Sequence, residues 1–86
     1  MNFYIHVKRK KNNQETFILA KLFEVEEFKR DSDNKDVICF SYSLDGNKKP
    51  YQLVNYHSDK IEFIEVFLIL HDNSLKLIYG YGEKKC

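Results

Sequence analysis

The sequence predicts a mainly β fold, a single small antiparallel meander of about six strands that forms a barrel or a curled sheet. Apolar and polar residues alternate with a period of two in several stretches, which is typical of half-buried strands. Short segments rich in Asn, Asp and Lys separate these stretches and supply turn residues. An antiparallel chain of this kind curls so that one face of its sheet is covered.

The most apolar segment, residues 61–81, is predicted to be a β-hairpin. Its first strand carries apolar residues on both sides, with Ile61, Phe63, Glu65, Phe67 and Ile69 on one and Glu62, Ile64, Val66, Leu68 and Leu70 on the other. His71, Asp72, Asn73 and Ser74 supply the turn, because Asp and Asn tolerate positive φ. In the second strand Leu75, Leu77, Tyr79 and Tyr81 alternate with Lys76, Ile78 and Gly80.

The N-terminal third is predicted to pair as a second hairpin. Phe3, Ile5 and Val7 alternate with polar or amphipathic residues, which predicts a strand over about residues 2–9, followed by a polar break at 10–14. Residues 16–23 are predicted to form a long or bent strand that continues through 24–26 and turns at 31–35. A helix over about 20–30 is the alternative, but a helical wheel of this segment forms no apolar stripe.

The middle of the chain predicts two more strands. Residues 37–44 alternate cleanly, Asp45 and Gly46 indicate a turn, and residues 51–56 form a short strand. A helix over 59–70 with Ser58 as its N-cap is the second alternative, and either helix would make the fold α+β. The β-branched and aromatic residues of 61–69 favour a strand.

The 86 residues suit one β domain, residues 1–86, with a short flexible C-terminal tail from about 83. No apolar run reaches the roughly 20 residues of a membrane span, and the first residues are too polar for a signal peptide. Cys39 and Cys86 form no CxxC pair and no metal-ligand spacing, and a disulfide between them would need the tail to fold back on the strand that holds Cys39. Cys39 is predicted to be a small buried residue. We therefore expect a cytoplasmic protein without membrane contact. An abundance of Lys, Asn, Ile, Phe and Tyr suggests a low-GC bacterium, its phage or a mobile element as the source.

The residue pattern indicates no catalytic chemistry. His6, His57 and His71 fit no metal-ligand spacing, and no glycine-rich phosphate loop precedes a helix. Glu62 and Glu65 lie on opposite sides of one predicted strand, which is poor geometry for a catalytic pair. Glu24 and Glu26 share a side, but charge is ordinary on the outer face of a sheet. We predict a protein that is not an enzyme and has no cofactor and no metal.

The function predicted is a non-enzymatic small binding protein that acts through protein–protein interaction, as a phage or mobile-element inhibitor of a host factor would. Two-sided apolar strands in so short a chain imply either an unusually full core or an uncovered patch. A homodimer through an edge strand is a further expectation. The candidate contact is an acidic segment with Glu24, Glu26, Glu27, Asp31 and Asp33.

The alternative function is a small-barrel nucleic-acid-binding protein. A basic run at 8–11 and a second basic pair would supply its phosphate contacts, namely Lys8, Arg9, Lys10, Lys11, Lys48 and Lys49. A net charge of +1 argues against it, because dedicated nucleic-acid binders carry a stronger positive field.

Overall fold

The structure is a computed structural model that describes residues 2–25, 29–30, 36–46 and 52–82. Its strands are β1 (Asn2–Arg9), β2 (Glu15–Ala20), β3 (Leu22–Val25), β4 (Lys29–Arg30), β5 (Asp36–Ser43), β6 (Gln52–His57), β7 (Ile61–Ile69) and β8 (Leu75–Gly82). Two 3-10 turns, Lys11–Asn13 and Ser58–Lys60, connect β1 to β2 and β6 to β7. The mainly β prediction is confirmed, and among the described residues both helix alternatives, 20–30 and 59–70, are wrong.

The strands form two open antiparallel sheets, which confirms the curled-sheet form of the prediction. The first sheet has the order β2-β1-β7-β8. In the second sheet β5 is central: Phe40 pairs with Val25 of β3 on one side and with Val54 of β6 on the other. β4 extends the β3 edge, because Lys29 pairs with Val37 of the same central strand.

Two crossings hold the sheets together. β2 continues into β3 through Lys21, whose N–H donates to the carbonyl oxygen of Ser43 at 2.8 Å. The chain therefore bends from the first sheet into the second, and the single long or bent strand predicted over 16–23 is divided at Lys21 into β2 and β3. It returns from β6 to β7 through the Ser58–Lys60 turn.

The core fills the space between the sheets. β1 and β7 contribute Ile5, Val7, Ile64 and Val66, while β5 contributes Ile38 and Phe40. Phe23 of β3 connects the two layers, with its ring centroid 5.5 Å from Phe40 and 6.2 Å from Tyr79 of β8. Burial is the main cause that raises the pKa of the Tyr79 phenol above its ordinary range, and the negative charge of ionised Tyr81 is the second.

Two register shifts in the first sheet place some side chains of β7 and β8 on other faces than the sequence predicted. The register between β1 and β7 shifts after Lys8, so Ile61 turns into the core instead of lying on the same side as Phe63. The register between β7 and β8 shifts at Ile78, which is the extra residue of a β-bulge. A one-residue slip moves side chains to the opposite face.

The bulge divides the alternation predicted for the last strand into two parts. Tyr79 pairs with Val66 and packs against the core, whereas Leu77 pairs with Phe67 on the opposite face. The predicted turn before β8 is confirmed, because Asn73 has φ of 66° and the Ser74 N–H donates to Asp72 Oδ1 at 3.0 Å. The Ser74 hydrogen bonds lower the pKa of the Asp72 carboxyl.

Candidate functional site

The outer face of the first sheet, directed away from the core, carries a row of apolar side chains. Its cross-strand register aligns Leu19, Tyr4, Phe67 and Leu77 from one edge strand to the other. We call this row and its neighbours in β2 and β8 the apolar platform, which consists of Tyr4, Phe17, Leu19, Phe67, Leu75 and Leu77.

The platform exposes large apolar side chains to solvent. The exposed fractions are 55% for Phe17, 64% for Leu19, 52% for Leu75 and 54% for Leu77. Single exposed apolar residues are normal on soluble proteins, but a contiguous apolar patch indicates an interaction surface. The sequence predicted either an unusually full core or an uncovered apolar patch. The exposure of these four side chains favours the second alternative.

Aromatic packing holds the β2 side of the platform in place. The Phe17 ring stacks on Tyr4 and on His6, with centroid distances of 5.9 Å and 4.3 Å. His6 in turn meets the edge of Phe63 at 4.9 Å, and its Nε2 lies 2.9 Å from Glu15 Oε1. A surface whose side chains are already ordered loses less conformational entropy when a partner binds.

A second feature, the basic cleft, lies at the other end of β1. It is an open cleft of about 600 Å³ where the Lys11–Asn13 and Ser58–Lys60 turns meet. The Lys10 N–H donates to the Lys60 carbonyl oxygen at 3.1 Å and ties these two segments together. The polar side chains lining the cleft include Arg9, Lys10, Lys11, Gln14, Asn55 and Lys60.

Arg9 forms the fixed wall of the basic cleft. Its guanidinium carbon lies 5.2 Å from the centroid of the Tyr56 ring, a cation–π contact between the two sheets. Arg9 Nη1 donates to Thr16 Oγ1 at 2.9 Å, and Nη2 donates to the Tyr56 hydroxyl at 3.4 Å. These contacts order a side chain that is otherwise flexible.

The structure divides the predicted basic run at the Lys8/Arg9 boundary. Lys8 lies on the outer face, where its Nζ is 3.6 Å from Glu62 Oε2, whereas Arg9, Lys10 and Lys11 line the cleft. Lys60 also lines the cleft, although it lies in a turn some fifty residues later along the chain. No local sequence pattern indicates that it lies beside the basic run. Lys48 and Lys49 lie outside the described residues.

The predicted acidic contact is described at one position only. Glu24 is exposed on β3, where it pairs with Ser41 of β5. Glu26, Glu27, Asp31 and Asp33 lie outside the described residues, so the acidic contact stays a prediction.

The three histidines named in the sequence analysis lie apart from one another in the described part of the chain. His6 lies on the outer face, His57 lines the basic cleft and His71 lies in the last turn. Over these residues, no three His, Cys, Asp or Glu side chains come together in a way that could hold a metal ion. The helical turns described are also too short to cross a membrane.

Neither a protein-family model, nor a curated protein, nor a solved structure matches this chain. A functional assignment therefore rests on the apolar platform and the basic cleft themselves.

Proposed function

We propose that this chain is a non-enzymatic binding protein that docks its apolar platform on an apolar surface of another protein. The observation that carries the proposal is the contiguity of Phe17, Leu19, Leu75 and Leu77, each more than half exposed on one face of an ordered sheet. Protein interfaces are built on such apolar centres with a polar rim.

The energy available from the platform is appreciable. Complete burial of a Leu or Phe side chain is favourable by about 1.5–3 kcal/mol, so the exposed part of Leu19 alone corresponds to about 1–2 kcal/mol. The four side chains together correspond to roughly 3–7 kcal/mol before the entropy of association is subtracted. The stacking of Phe17 on Tyr4 and His6 reduces that entropic term, because these rings are already ordered.

The polar rim supports a specific partner. Glu15 and His6 form a close pair beside Phe17, and Lys8 pairs with Glu62 farther along the same face. Charges at the edge of an interface select partners and influence the association rate more than they add affinity. The narrower idea, an inhibitor encoded by a phage or mobile element against a host factor, is supported by the amino-acid composition alone.

Affinity capture with matched variants tests the proposal. The platform variant carries Leu19→Ser and Leu77→Ser, and the control carries Leu53→Ser and Leu44→Ser, whose side chains are 53% and 54% exposed but lie off the platform. The proposal expects one protein in stoichiometric amount with the wild-type chain and the control, and its loss with the platform variant. Retention by the platform variant would overturn the proposal, and so would recovery of only a second copy of this chain.

A further inference from the structure

We infer that the basic cleft binds single-stranded nucleic acid. This site goes beyond the proposed docking function, because it uses different residues at the opposite end of β1. Neither site requires the other to be occupied.

The charge lining the cleft favours a polyanion. Four cationic side chains, Arg9, Lys10, Lys11 and Lys60, line it together with one carboxylate, Asp59. The three lysines are exposed, so their ammonium groups reach phosphates without a large desolvation penalty. The local charge is therefore strongly positive although the whole chain carries only +1. Phosphate contacts depend on this local field more than on the total charge.

The chemistry of the cleft also suits unstacked bases. The Arg9 guanidinium lies over the Tyr56 ring and is held there by its hydrogen bonds to Thr16 and Tyr56, and guanidinium groups are surfaces on which bases stack. Gln14 and Asn55 add side-chain amides that both donate and accept, which matches the mixed donors and acceptors of base edges.

The amide side chains in the cleft favour a single strand over a duplex. A volume of about 600 Å³ lies in the range of sites for small ligands, which is the scale of individual nucleotides. Bases of a single strand can turn toward Gln14 and Asn55, whereas a duplex keeps its bases paired and stacked.

Fluorescence anisotropy with the full chain and a labelled oligothymidine of about twelve nucleotides tests the inference, because single-strand sites span several nucleotides. The cleft variant carries Lys11→Ala and Lys60→Ala. Its matched control carries Lys21→Ala and Lys76→Ala, two exposed lysines outside the cleft, and loses the same charge.

Each phosphate contact on a single strand contributes about 0.7 to the slope of log K against log salt. Near 50 mM salt this corresponds to about eightfold in affinity for each contact, relative to 1 M salt. We therefore expect each lysine removed from the cleft to weaken binding by about eightfold. The slope of log K against log salt should fall by about 1.4 in the cleft variant. The control should keep the wild-type affinity within about twofold, since no phosphate contact is removed.

Four outcomes would overturn the inference: no binding at low salt, an equal loss of affinity in the control, binding of a duplex as tight as that of the single strand, and displacement by polyglutamate at matched charge. The last result would indicate an acidic protein as the ligand of the cleft.

Discussion

The glycine at the end of β8 offers a sharp test of the β7–β8 pairing on which the platform depends. Gly82 has φ of +77° and pairs with Phe63. A methyl group at this position would overlap the Glu62 carbonyl oxygen and come within 3.2 Å of the Phe63 Cα. Gly82→Ala therefore adds backbone strain and forces β7 and β8 apart at this pair.

The loss of stability caused by Gly82→Ala is limited by the position of Gly82 in the sheet. The residue belongs to the last β7–β8 pair described, so the strain is relieved by opening that pair rather than by distorting the core. We expect Gly82→Ala to lower the free energy of unfolding by about 1–2 kcal/mol. For a domain of this size that corresponds to a decrease in Tm of roughly 4–16 °C.

Gly80→Ala is the matched control. An added methyl group at Gly80 has no atom within 4 Å, and its backbone is not in the positive-φ region. Its stability should stay within about 0.5 kcal/mol of the wild type in urea unfolding and in thermal scans. An unchanged Gly82→Ala protein, or an equal loss in the control, would refute the β7–β8 register described here.

Two further predictions concern the partly buried Tyr79 and the buried Cys39. Because the pKa of Tyr79 is raised, the folded state holds the phenolic proton more tightly than the unfolded state does. The folded state is therefore favoured fully below the ordinary pKa of 10.0, and it loses this contribution to stability as the pH rises through the folded pKa. Urea unfolding at about pH 9 and about pH 11 should show a larger loss of stability in the wild type than in Tyr79→Phe, and an equal loss would contradict the burial of this phenol. Cys39 is buried in β5, so in a Cys86→Ser background it should react with a thiol reagent only as fast as the protein unfolds. Rapid reaction under native conditions would show that the central strand is open.

Much of the fold could be predicted because most segments agree with a single periodicity. Residues 2–9 alternate in sequence and form β1 over that range, and the polar break at 10–14 contains the Lys11–Asn13 turn. The absence of an apolar helical stripe favoured a strand over a helix in the segment around Lys21, but it did not locate the bend at that residue.

The platform could be predicted only as a choice between a full core and an uncovered patch. The two-sided apolar character of β7 raised that choice, but the faces of Leu75 and Leu77 depend on the bulge at Ile78. A bulge is set by pairing with a strand elsewhere in the sheet, and local alternation does not encode it. The meeting of Lys60 with Arg9 in the basic cleft is likewise a consequence of the β1–β7 register.

Site-specific photo-crosslinking in a lysate of the source cells shows directly whether a partner protein contacts the apolar platform. A photoreactive phenylalanine analogue takes the place of Leu19 on the platform in one protein and of Leu53 on the second sheet in the other. We expect one discrete crosslinked protein from position 19 and none of that mass from position 53. Equal crosslinking from both positions, or none from position 19 while the wild-type chain still captures a partner, would contradict docking through the apolar platform.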